Sequence, residues 1–228
     1  MLRRLSVIVI TIATLNPQMS WAMNAEEYRL LGIKYQQQER YSEAIDVMQK
    51  AVKLQPKNIN GRVLLGWTQH LAGQEDAATK TLVETFCLDP FYVRNLNALG
   101  IVHLVSGRLF EAAATHIWAV VLKPDNEIAY YNLSLTMERL KKYPWAIGNA
   151  KRASQLEPNN PHPLVALAIA YWGQGDRTQA KKAFRQAIAL DGRYRNTEFL
   201  NHLKKAGFSP TQIQTTKQIL QNLKNRTL

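Results

Sequence analysis

The sequence predicts an all-α solenoid: five paired-helix units stacked in a row, closed by capping helices at the carboxyl end. Three observations predict it. Five segments share a frame of 34 residues, with no insertion or deletion between them. Small residues and prolines recur at fixed places in that frame. No stretch shows sustained alternation of apolar and polar residues, so no sheet is expected. A period of this length marks a stack of supersecondary units, none of which can bury its apolar stripe alone.

The frame starts at residue 25. Its eighth place holds Gly32, Gly66, Gly100, Ser134 and Ala168. Its twentieth holds Ala44, Ala78, Ala112, Ala146 and Ala180, and leucine fills the seventh as Leu31, Leu65, Leu99, Leu133 and Leu167. The thirty-second reads Pro56, Pro90, Pro124, Pro158 and then Gly192. These residues resemble the tetratricopeptide repeat family over residues 25–192, in repeats 25–58, 59–92, 93–126, 127–160 and 161–192. The resemblance implies a right-handed superhelix of antiparallel helix pairs, A and B, whose business is binding protein segments. Small residues at places eight and twenty let helix backbones approach closely. Proline at thirty-two stops helix B. Gly73, Gly107 and Gly175 at place fifteen suit a left-handed helix end. Place twenty-four carries Met48, Leu82, His116, Ala150 and Phe184. His116 and Ala150 are the poorer core fillers, so looser packing is expected in the third and fourth units.

Helix A is expected over roughly 26–38, 60–72, 94–106, 128–140 and 162–174, and helix B over roughly 42–55, 76–88, 110–122, 144–156 and 178–190. Residues 193–228 leave the frame. Asn196 can cap a short helix over 197–205, Gly207 can close it, and Ser209-Pro210 can open a last helix over 210–225. Their apolar faces suit a cap over the fifth repeat.

The amino terminus reads as a secretory signal over residues 1–22. Arg3 and Arg4 precede an uncharged run from Leu5 to Leu15, and Ser20-Trp21-Ala22 supplies small residues for cleavage after Ala22. The run is short for a membrane span, which needs about 20 residues. The expected location is therefore periplasm or thylakoid lumen, with an uncleaved membrane anchor as the alternative. The only cysteine, Cys87, excludes an internal disulfide and reads as a small, partly buried apolar side chain.

The chain carries a net charge of +12. The excess is concentrated at the carboxyl end, where Arg193, Arg195, Lys204, Lys205, Lys217, Lys224 and Arg226 face only Glu198. Such a patch suits an anionic membrane surface or an acidic protein. Nucleic acid is disfavoured, since no recognition motif is present.

In the family that these repeats resemble, places two, five, nine, twelve and thirteen of helix A line a concave groove. Carried over, they give an apolar lining in repeats two to five: Val63, Trp67, Leu71, Ile101, Leu104, Val105, Tyr131, Leu135, Val165, Ile169 and Trp172, with Asn97 among them. A contiguous apolar surface of that size calls for an occupant. One reading is an amphipathic helix or extended apolar segment of a partner. The other is that the superhelix is tight and these side chains meet each other, or that the carboxyl-terminal helix folds back into the groove. The family's carboxylate clamp is not matched: its places in repeats one to three hold Arg29, Ile33, Leu64, Arg94 and Ala98. No two histidines lie three to five residues apart, and there is no phosphate loop, so no catalytic site, cofactor or metal is expected. Asn132-Leu133-Ser134 matches a glycosylation acceptor but falls inside a helix.

The function this implies is an exported, non-enzymatic scaffold that binds a protein segment, for assembly of a membrane or envelope complex. The alternatives are a membrane-surface adaptor using the basic tail, and a regulatory subunit packing through its convex face. The carboxyl extension also loosely resembles that of repeat proteins from photosynthetic bacteria.

Overall fold

The computed structural model describes residues 23–224. The export signal read over residues 1–22, and Arg226 of the basic patch, lie outside the described residues. Ten helices run as five consecutive pairs: α1 (Ala25–Gln37) with α2 (Tyr41–Leu54), α3 (Ile59–Leu71) with α4 (Glu75–Leu88), α5 (Val93–Val105) with α6 (Leu109–Leu122), α7 (Glu127–Arg139) with α8 (Tyr143–Leu156), and α9 (Pro161–Gln174) with α10 (Arg177–Leu190). Two 3-10 segments, Gly192–Arg195 and Phe199–Ala206, lead to α11 (Pro210–Lys224). No strand occurs among the described residues.

Local chemistry sets the boundaries. Asn24, Asn58, Asn126 and Asn160 each accept backbone N–H bonds at the start of an A helix, two residues after the proline place. Tyr92 stands at the third such start and offers no side-chain cap. The turn from A to B imposes a left-handed residue in all five repeats. Gly73, Gly107 and Gly175 meet that demand, and Glu39 (φ 58°) and Lys141 (φ 59°) are forced into it. A Cβ disfavours that conformation by about 1–2 kcal/mol, so the turn geometry outweighs residue preference at these two positions.

Close approach explains the small residues. A Cβ on Gly32 would lie 2.6 Å from Met48, on Gly66 2.7 Å from Leu82, and on Gly100 2.5 Å from the His116 ring. Ser134, Ala150, Ala168 and Phe184 redistribute the same bulk in repeats four and five, and all four are fully buried. Ala150 and His116, where the sequence predicts looser packing, are both fully buried, and His116 brings a polar ring into the core. Its ring is fully enclosed, and neither ring nitrogen has a hydrogen-bond partner. Burial pushes its pKa down to about 3, so it is neutral at any physiological pH. Cys87 corrects the sequence reading: it is exposed, because its place on α4 faces away from α3 and α5.

The apolar core is discontinuous. Small clusters hold the first three repeats, such as Ala44, Ile45, Met48 and Leu65, or Ala78, Leu82, Ala98, Leu99 and Val102. One large cluster then runs from Leu104 through repeats four and five to Ile219 and Leu220 of α11. The short helix expected over 197–205 is 3-10 rather than α. Leu200 and Leu203, both fully buried, are three residues apart, which a three-residue turn aligns on one face. Gly207 (φ 82°) then reverses the chain. Ser209 and Gln212 exchange side-chain to backbone bonds that open α11.

Candidate partner-binding groove

The residues that the sequence places in one continuous groove fall into two halves with different fates. Leu104, at the end of α5, and the lining of repeats four and five are core. Leu104, Leu135, Val165 and Ile169 have no exposed surface. Tyr131 and Trp172 are partly buried against the same cluster. The cover is the chain's own carboxyl-terminal segment. Tyr131 donates its hydroxyl to the Ala206 carbonyl at 2.5 Å, and its ring meets Phe208 at 6.2 Å. The Gln212 amide donates to the Leu135 carbonyl at 3.1 Å and to the Glu138 carboxylate at 2.8 Å. Burial raises the pKa of Glu138, and the Gln212 bond partly offsets that. Expected as part of an open docking surface, these side chains are instead the seat of α11 and of the turn before it. The reason is bulk: Tyr194, Leu200, Leu203, Phe208 and Ile219 need an apolar partner, and the concave side of α7 and α9 supplies it.

Aromatic contacts fix the junction. Tyr194 stands edge-on to Phe184, Phe199 and His202, and its hydroxyl is 3.3 Å from His202 Nε2. His162 lies 5.8 Å from the His202 ring, and its pKa is lowered by burial and by that second imidazole. Trp172 is held under the Arg177 guanidinium, 3.8 Å from the ring centroid.

The first three repeats, as far as Ile101, keep an open concave side. Val63 and Trp67 are half-buried against the Ala78–Leu82 cluster, Leu71 is exposed, and Ile101 is half-buried. The Trp67 ring meets His70 at 5.0 Å, tilted by 45°, and His70 Nδ1 reaches the Glu75 carboxylate at 2.9 Å. Asn97 is committed to structure: it exchanges amide bonds with Asn126, at 2.8 and 3.3 Å, and Asn126 in turn caps α7. The open lining is therefore an aromatic and aliphatic strip centred on Trp67.

The basic patch is partly self-engaged. Arg193 pairs with Asp191 at 2.8 Å and lies over the Phe199 ring. Lys217 donates to Asn201 at 2.9 Å. Arg195, Lys204, Lys205 and Lys224 are exposed. Asn132 and Ser134 are buried, which puts the acceptor motif out of a transferase's reach. Among the described residues no group of three His, Cys, Asp or Glu side chains could hold a metal ion.

The fold, the five-fold frame and the repeat signature together define a tetratricopeptide-repeat protein. The tetratricopeptide repeat family matches residues 25–58 and again residues 162–194. Among proteins of established description, the chain is 31% identical over 86 residues to the Hsp70-Hsp90 organizing protein of Triticum aestivum, a match covering 38% of this chain and 15% of that protein. Among solved structures, a crystal structure of MamA superposes with a TM-score of 0.65 at 23% identity, covering 74% of this chain and 92% of that one. MamA from Desulfovibrio magneticus RS-1 gives 0.67 at 18%, over 73% and 94%. A thermophilic tetratricopeptide protein of Thermus thermophilus gives 0.61 at 21%, over 74% and 92%. At these identities the likeness establishes the solenoid fold.

Proposed function

We propose that this chain is an exported, non-enzymatic scaffold whose open concave strip, in the first three repeats, captures an apolar or amphipathic segment of a partner protein during assembly of a membrane or envelope complex. The observation that carries the reading is the accessibility of the Trp67 strip beside a carboxyl-terminal half that the chain fills itself. Trp is enriched in binding hot spots, and α11 lying across α9 gives an internal precedent for a helix seated on this side of the solenoid. The partner differs in chemistry from one recognised through a free terminal carboxylate. Of the clamp places, Arg29 is engaged by Glu26 and Gln55, Ile33 and Leu64 stand where asparagines would be needed, and Ala98 where the last basic residue would be. The resemblance to the Hsp70-Hsp90 organizing protein therefore carries no chaperone-binding role to this chain.

Trp67→Ala is the direct test. It should abolish capture of the partner from extract of the source cells while leaving helical circular dichroism near that of the wild type. Capture should persist as salt rises, since apolar contacts are not screened. Unchanged capture by Trp67→Ala overturns the reading. A second reading, docking on an anionic membrane, is favoured by the exposure of Arg195, Lys204 and Lys205 on one terminal segment. It predicts flotation with anionic vesicles that is lost steeply as salt increases.

A further inference from the structure

Helix B of each repeat turns one row of residues away from the solenoid. In repeat five that row is Thr178, Lys182, Arg185 and Ala189, all exposed. In repeat three the equivalent row, on α6, is Phe110, Ala114, Ile117 and Val121, with Phe110 78% exposed, Ile117 46% and Val121 60%. The spacing of four, three and four residues is that of a helix seam. Nothing on α6 interrupts it with charge. Glu111 is the one formally charged residue of the helix, and the row itself carries none. The neighbouring base, Arg108, is turned inward to Thr79 at 2.5 Å. The apolar surface extends sideways: Trp118 of α6 meets Phe91 at 6.0 Å, and Phe91 is 63% exposed.

We propose that two copies of this chain associate through α6, packed antiparallel about a two-fold axis that passes between Ala114 and Ile117. Three features select a second copy. First, the row complements itself. Antiparallel pairing sets Phe110 against Val121 and Ala114 against Ile117, so each layer joins a larger side chain to a smaller one, and Ala114 lets the helices close up. Second, electrostatics chooses the face and the direction. Copies carrying +12 repel each other, and α6, which contains neither Lys nor Arg, adds no positive charge to the contact. Antiparallel helices oppose their dipoles and hold the two Glu111 carboxylates apart, whereas parallel pairing would set them side by side. Third, the area fits a weak isologous contact. Aromatic side chains expose about 150–250 Å² each when free, so Phe110 and Phe91 with the aliphatic row fall below the ~800 Å² per partner of a standard interface. This surface is on the opposite side of the molecule from the Trp67 strip and does not depend on it.

Sedimentation of the full chain from about 1 to 200 μM tests the proposal, the span in which a contact of less than standard size assembles. The weight-average mass should climb from 26.0 kDa toward twice that value. The triple variant Phe110→Thr, Ile117→Arg and Val121→Ala installs the residues repeat five carries at the same places, so it should fold and melt as the wild type does. It should remain monomeric throughout. A wild type that stays monomeric, including one whose α6 is covered by its own residues 1–22, overturns the proposal, and so does a triple variant that dimerises equally well. Cysteine substitution in a Cys87→Ser background reads the direction. Ala114→Cys should give a disulfide-linked dimer. Phe110→Cys should not, because antiparallel pairing puts the two copies of that position about 16 Å apart along the helices. Failure of the first to cross-link, or equal cross-linking by the second, overturns the pairing.

Discussion

The first three repeats and the last two share one 34-residue frame, yet their concave sides are different objects. Around Trp67 the frame leaves a half-covered apolar strip held by small separate clusters. Around Leu135 and Ile169 the same places are solid core, continuous with α11. The difference teaches that place in a repeat fixes which way a side chain points, not whether it meets water. Exposure is decided by what lies beyond the repeat.

Removing residues 193–228 breaks the comparison most severely. It would uncover the seat of Tyr194, Leu200, Leu203, Phe208, Ile219 and Leu220, all buried. At roughly 1.5–3 kcal/mol for each such side chain, the loss rivals the whole stability of an ordinary domain. Hydrogen exchange should show α7 to α10 deprotected, with melting lowered by more than about 10 °C. Melting that does not move would mean the tail covers nothing important.

A matched pair of leucines sharpens the contrast. Leu135→Ala, in the closed half, should cost about 3 kcal/mol in denaturant titration. Leu71→Ala, at a groove place in the open half, should cost less than about 1 kcal/mol because that side chain is already exposed. Similar costs would erase the distinction between the halves.

His116 marks the boundary between them. With its folded-state pKa near 3, against an ordinary value of 6.5, the imidazole contributes nothing adverse above pH 6.5. As pH falls from 6.5 toward 3 the unfolded chain takes up a proton that the folded chain refuses. Stability should then decline by up to about 1.4 kcal/mol per pH unit. His116→Leu restores an apolar residue opposite Gly100, as Leu82 stands opposite Gly66, and should flatten that decline in urea titrations at pH 4 and 7.

Two smaller effects complete the series. Tyr131→Phe removes the bond to Ala206 while keeping the ring against Phe208, and should cost about 1 kcal/mol in denaturant titration. Lys141→Gly relieves a left-handed lysine and should raise stability by about 0.5–1 kcal/mol, with Gly107→Ala at the same place in repeat three lowering it.

Much of the fold is legible directly. Prolines at place thirty-two and the 34-residue frame predict helix limits that hold to within one residue for the ten paired helices. The glycines at place fifteen point to left-handed turns, but Glu39 and Lys141 show that the turn is obligatory even where the residue is unsuited. Cys87 is misplaced by sequence reasoning when it is read by residue type, as a small apolar side chain; its place in the frame, shared with Val121 and Ala189, faces outward. The outer row of α6 escapes it for a similar reason. Phe110, Ile117 and Val121 sit in a helix that is apolar almost all round, and only the observed packing separates its inner side from its outer one.

The sequence by itself determined the pairing of helices and their order, because those follow from local hydrogen bonding and a short repeat. Tertiary structure alone decided where the tail lies. A groove and a core are built from the same apolar residues, and burying α11 against α9 makes a core of one half because removing that surface from water lowers the free energy. No local signal in residues 127–174 distinguishes a strip awaiting a partner from one already filled by residues 194–220.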